Sequence, residues 1–160
     1  MIKFSIFKKI LAGVDGSNDS YEAVEFAIKI AESMKSQLIF LYVITDDYIK
    51  EVYRGEAEIK KSLSQVDDIM LLQARTEEIG KAVFKKIEDY IKESNPELKY
   101  EFKMRNGNPG KEIVDEINKN GYDLCVLGAK SASRSFTTVF GQISDYIIKN
   151  TKIPILMVRA

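Results

Sequence analysis

"LIFLYVI", residues 38–44, is apolar at every position. A strand with one wet face alternates apolar and polar side chains, whereas a strand covered on both faces reads as a continuous hydrophobic run. Ile39, Phe40, Tyr42, Val43 and Ile44 are all residues that favour a pleated, packed surface. The run therefore predicts a central strand of a parallel sheet, and such a strand requires helices on both sides.

The flanking sequence supplies those helices. Upstream, "KKILAGVD" (8–15) is a compact apolar run suited to a first buried strand. "SNDSYEAVEFAIKIAESMKSQ" (17–37) follows, with Ala23, Phe26, Ala27, Ile30, Ala31 and Met34 at helical spacing and N-cap candidates between Ser17 and Ser20. Downstream, residues 45–72 are charged, with scattered apolar positions and Gly55, and are expected to form a partly helical, mobile insert. From Gln73 to Ser94, Ile79, Val83, Ile87 and Ile91 recur every four residues, which predicts one apolar helical face; Pro96 ends that helix. "LKYEFKM" (98–104) alternates as a half-buried edge strand does. "RNGNPGKEIVDEINKNGYD" (105–123) gives a turn and a helix, with Asn108 placed to cap and Pro109 at the first helical position. The strand "DLCVLGA", the helix "GQISDYIIKNT" and the strand "IPILMVR" complete the chain.

Strands alternating with helices define an α/β domain: a single open five-stranded parallel sheet with helices on both faces. Residues 1–160 read as one domain, long enough to bury a core.

Composition removes several functions. The 24 basic and 24 acidic residues cancel, so nothing marks nucleic acid or an anionic membrane as a partner. With no histidine, a Ser-His-Asp triad, a Cys-His dyad and a His-ligated zinc site are excluded. One cysteine, Cys125, cannot form an internal disulfide and reads as a small core residue, which suits a reducing, cytoplasmic setting. The amino-terminal run "ILAGV" is shorter than the roughly 7–15 apolar residues of a secretory signal, and no stretch approaches the ~18 expected of a membrane span.

In an open parallel sheet, ligands bind beyond the carboxyl ends of the strands, where the winding direction reverses. Gly13-Val14-Asp15-Gly16-Ser17, Val43-Ile44-Thr45-Asp46 and the segment from Gly128 emerge at that edge. Asp15 is placed to reach a ribose hydroxyl or a metal-bound water, and equally, with Ser17, to cap the following helix. "NGNPGKE" lacks the first glycine and the final Ser/Thr of a P-loop, and no G-x-G-x-x-G follows the first strand. Asp46-Asp47 and Asp67-Asp68 lack further ligand spacing and read as solvated surface.

The order of "KKILAGVDGS", "LIFLYVI", "NGNPGKEIVDEINKNGYDLCVLGAKS" and "FGQISDYIIKNTKIPILMVR" resembles the universal stress protein family along nearly the whole chain. The resemblance implies a strand order of 3-2-1-4-5, an adenine-nucleotide alpha-hydrolase-like fold, and a homodimer paired through the final strand, residues 153–159. The ATP-binding branch carries a glycine, two residues, a second glycine, nine residues, then glycine followed by Ser or Thr. Gly128 and Gly141 match the first and third glycines, whereas Ser131 and Gln142 replace the second glycine and the final Ser/Thr. If the second glycine needs positive φ, Ser131 costs on the order of 1–2 kcal/mol, a ~5–30-fold loss of affinity.

Carried over residue by residue, Gly13, Val14, Asp15 and Val43 are expected to hold adenine and ribose. Gly128, Ser131, Gly141, Gln142 and Ile143 are expected at the phosphates, with Lys130 and Arg134 nearby, and Leu127 is a further expected nucleotide-binding position. ATP with magnesium is the implied ligand, the phosphate-bound metal being shared with Asp15. No catalytic residue is assigned, since no general base is evident. The expected role is a stress-responsive nucleotide-binding module; its alternative is a non-ATP-binding member acting as a dimeric protein-interaction or chaperone-like factor.

Overall fold

The computed structural model describes residues 7–45, 65–129 and 142–160. The described residues form five strands: β1 (Lys9–Gly13), β2 (Gln37–Ile44), β3 (Tyr100–Asn106), β4 (Leu124–Gly128) and β5 (Ile155–Val158). Between them lie α1 (Asn18–Met34), α2 (Gln65–Ser94), α3 (Pro109–Asn120) and α4 (Gln142–Asn150). All four strand pairings are parallel and the order is β3-β2-β1-β4-β5, as expected.

The sheet separates two cores. Ile10, Ala12, Leu38, Phe40 and Val126 point into one, beneath α1 and α2; Leu11, Ile39, Leu41, Cys125 and Leu127 point into the other, beneath α3 and α4. This division explains the unbroken run in β2, because its successive side chains feed opposite cores. Phe40 and Phe102 lie 5.3 Å apart across β2 and β3, and Phe84 of α2 stacks on Phe102 at 4.6 Å. Such aromatic pairs add about 0.5–1.5 kcal/mol each beyond the area they bury.

The predicted caps form. Ser17 Oγ accepts from the Ser20 amide at 3.2 Å, and Asn108 Oδ1 accepts from the Lys111 amide at 3.1 Å, with Pro109 in the first turn of α3. α2 stops at Ser94, two residues before Pro96.

Two apolar faces differ from expectation. In α1 the buried positions are Asp19, Ser20, Ala23, Val24, Ala27, Ile28 and Ala31; Phe26 and Met34 are exposed and Ile30 is only partly covered. In α2, Val83, Ile87 and Ile91 are buried, but Ile79 is 47% exposed and Thr76 is buried instead. A strict four-residue step overshoots the 3.6-residue turn by about 40° each time. Three such steps carry Ile79 well away from the line of Ile91.

Most of the insert expected at 45–72 lies outside the described residues, apart from Thr45 and the first turns of α2.

Candidate functional site

The winding direction reverses between β1, which leads toward β2 and β3, and β4, which leads toward β5. The carboxyl ends of these two strands therefore diverge into different connections, leaving a mouth between them. Gly13 ends β1 beside Leu41, and the Val14 amide donates to the Leu41 carbonyl at 2.9 Å, carrying the ladder one residue beyond the strand. Val43 lies near the end of β2, partly buried on the α3–α4 side. Leu127 and Gly128 end β4, and the Ala129 amide donates to the Val158 carbonyl at 2.8 Å. Gly13, Val14, Asp15, Val43, Leu127 and Gly128 are thus brought to one edge.

Asp15 opens the turn into α1. One of its carboxylate oxygens accepts from the Ser17 amide at 2.9 Å, and its own amide donates to Ser20 Oγ at 3.1 Å. Gly16 holds φ at 83°, which an L side chain rarely adopts. The turn fixes the carboxylate at the rim, and its negative charge adds to burial in raising the Tyr21 phenol above its ordinary range. Asp15 therefore combines the local turn contact that its sequence position allows with a location at the mouth.

Gly128 has a structural reason of its own. A Cβ there would stand 2.7 Å from both the Asp19 carbonyl carbon and the Ser20 amide nitrogen. Both are main-chain atoms of the first turn of α1, so the strand and helix approach each other through the missing side chain. Asp19 is itself buried, and its carboxylate accepts from the Ala160 amide at 2.9 Å.

On the far side of the mouth, α4 begins at Gln142, with Ile143 packed partly into the α3–α4 core. The opening amides of a helix have no carbonyl partner within it and favour an anion. Ser131, Gly141, Lys130, Arg134 and the Gln142 side chain lie outside the described residues. No group of three metal-ligating side chains converges among the described residues.

A separate surface cleft of about 460 Å³ opens between α1 and α2, lined in part by Tyr21, Glu22, Glu25, Lys86 and Tyr90. It lies on the helical flank, and the Lys86 ammonium rests over the Tyr21 ring at 4.2 Å.

Sequence reading missed one cluster. Glu116 on α3 is fully buried, and its carboxylate accepts from Lys103 Nζ at 2.7 Å, from the Tyr122 hydroxyl at 2.7 Å and from Arg105. Burial acts to raise the Glu116 carboxyl, but these bonds and charges outweigh it and hold the group below the ordinary carboxylate range. Burial and the Glu116 carboxylate push Tyr122 upward. The signal available was the alternation of Lys103 and Arg105 along β3 facing Glu112 and Glu116, one helical turn apart.

An open parallel sheet wound 3-2-1-4-5, with its winding reversal between β1 and β4, defines a doubly wound α/β domain. The model of the universal stress protein family matches residues 6–159. Universal stress protein MJ0531 of Methanocaldococcus jannaschii is 27% identical over 156 residues, covering 97% of this chain and 84% of the relative. The structure of universal stress protein UspA from Lactobacillus plantarum superposes with a TM-score of 0.78 at 20% identity, covering 97% of this chain and 99% of the other. A universal stress protein in complex with cAMP superposes with a TM-score of 0.67 at 19% identity, covering 96% and 98%. The chain belongs to the universal stress protein family. Among the described residues, no helix is long and apolar enough to cross a membrane.

Proposed function

We propose that the chain is a stress-responsive regulatory module that binds an adenine nucleotide, ATP or AMP, through a modified phosphate loop. The observation that carries this reading is the convergence of Gly13–Asp15, Val43, Leu127–Gly128 and the start of α4 on the β1–β4 reversal. The cAMP complex of a structural neighbour supports it by analogy of fold. Adenine and ribose would lie against Val14, Asp15 and Val43, with the phosphates toward Gly128, Ser131, Gly141 and the amides of Gln142 and Ile143. A magnesium ion would be held mainly by phosphate oxygens, with Asp15 supplying one ligand, since no cluster of three metal-binding side chains converges among the described residues.

Calorimetric titration with ATP and magnesium, and with AMP, tests the reading. Asp15→Asn keeps an acceptor for the Ser17 amide but removes the charge. It is expected to weaken binding roughly 10–100-fold, as loss of a charged hydrogen bond does. No heat from the wild-type protein at millimolar nucleotide removes the proposal.

One observation favours the second reading, a nucleotide-independent dimeric interaction factor. Gly128 is already required by the approach of α1, so its presence does not demand a phosphate. Under either reading β5 is expected to pair with its twin. Among the described strands it has a neighbour on one side only, and Ile155, Leu156 and Met157 are only partly covered. An apolar edge of this kind recruits another strand. Sedimentation of the wild type as a dimer, and of a folded Leu156→Asp variant as a monomer, is the expected outcome; a monomeric wild type at micromolar concentration refutes it.

A further inference from the structure

The Glu116 cluster reaches toward the carboxyl edge of the sheet through Arg105, which pairs with Val43 near the end of β2. Its guanidinium is held by Glu116 and lies 3.7 Å from Glu112, so carboxylates one turn apart on α3 grip it from two sides. In the β2–β3 ladder Arg105 stands directly opposite Val43, while Lys103 stands opposite Leu41, one pleat further from the carboxyl end. Paired residues on parallel strands project from the same face. Arg105 therefore flanks the residue assigned to the adenine, and its side chain keeps 30% of its surface exposed.

The two cations and two carboxylates cancel, so the cluster is not a phosphate trap. What it offers is direction. A guanidinium has five N–H donors in one plane and no acceptor, and two anchoring carboxylates remove the conformational freedom that an arginine ordinarily loses on binding.

We propose that Arg105 is a specificity-determining residue of the nucleotide mouth, presenting N–H donors to the edge of the base beside Val43 while Glu112 and Glu116 fix its plane. The inference rests on the nucleotide reading above. A purine, one ring longer than a pyrimidine, extends across the ~4.8 Å between neighbouring strands and places its ring acceptors within reach of that fork. A single-ring base stops short.

The test is calorimetric titration of the wild type, Arg105→Leu, Arg105→Lys and Lys103→Leu with AMP, GMP and UMP. The wild type is expected to prefer both purines. Both Arg105 variants are expected to lose about tenfold of the AMP-to-UMP affinity ratio, the size of one charge-assisted hydrogen bond, with UMP affinity unchanged. Lys103→Leu also removes a partner of Glu116 but stands away from Val43, and is expected to leave the ratio intact. Arg105→Lys keeps a cation beside Glu116 and serves if Arg105→Leu does not fold. An unchanged ratio in the Arg105 variants, or equal weakening for all three nucleotides, overturns the inference while leaving the nucleotide reading standing. Absence of AMP, GMP and UMP binding by the wild type overturns the inference, and absence of ATP binding as well overturns both.

Discussion

Replacing Lys103 and Arg105 together by leucine is expected to destabilise the protein by about 3–5 kcal/mol, the cost of leaving a buried carboxylate without its cations. Glu116 has no exposed surface. In the double variant only the Tyr122 hydroxyl remains of its three side-chain donors. Either single replacement leaves one cation in place and is expected to cost less than half as much. Adding Glu116→Leu to the double variant removes the stranded charge and is expected to recover most of the loss, a non-additivity that a mutant cycle reads directly. Urea midpoints at neutral pH provide the measurement, and a double variant within about 1 kcal/mol of wild type contradicts the account.

The same cluster sets an acid dependence. Burial favours the neutral Glu116 carboxyl, but the Lys103 and Tyr122 bonds and the Arg105 charge dominate, so its native pKa lies below the ordinary value. The unfolded chain then binds this proton more readily. The contribution is complete above the unfolded carboxylate pKa of about 4.3 and is lost as pH falls through the native value. Without the two cations burial prevails and the sign reverses. The stability gap between wild type and the double variant is therefore expected to narrow on acidification; a gap that widens below about pH 4 would contradict this assignment.

Gly128→Ala carries the second large effect, an expected loss of about 3 kcal/mol, at the upper end for overpacking. The added carbon would lie 2.7 Å from main-chain atoms of Asp19 and Ser20, which cannot rotate aside as a side chain can. Relief requires lifting the first turn of α1, which carries the Ser17 cap and the Asp15 turn. Gly128→Val is expected to be no milder, since the clash begins at Cβ. An alanine variant with an unchanged thermal midpoint would show that the helix yields. A nucleotide-binding defect in such a variant would not by itself identify a phosphate contact.

The frame of the fold was legible because β2 and β4 lie between two covering layers and their sequences show it. Helix faces were less legible. In α1, alanines at 23, 27 and 31 sit against the sheet while the larger Phe26 and Met34 lie outside, so bulk misleads where close approach selects small residues. β3 is the half-buried edge strand that its alternation predicts, but the pairing on its polar side was not legible. Tyr100, Phe102 and Met104 pack partly against the α1–α2 core as their alternation implies. The opposite face, with Lys103 and Arg105, has the polarity of a wet surface yet lies under α3, because Glu116 and Glu112 meet those charges there. Charge pairing across a covered face leaves no hydrophobic signature. At the candidate site, the strand ends and the Asp15 turn followed from the motif order, whereas the role of Gly128 against α1 did not. A glycine spared for a neighbouring backbone and one spared for a ligand look identical in a sequence.

Cys125 gives β4 a built-in clock. It is fully buried opposite Leu11 of β1, and burial pushes its thiol up to about 12, so in the native state it is both sheltered and protonated. A thiol-specific reagent can modify it only after β4 separates from the layers around it. The rate of that single modification, followed against denaturant, therefore reports how often the middle of the sheet opens, without any introduced label.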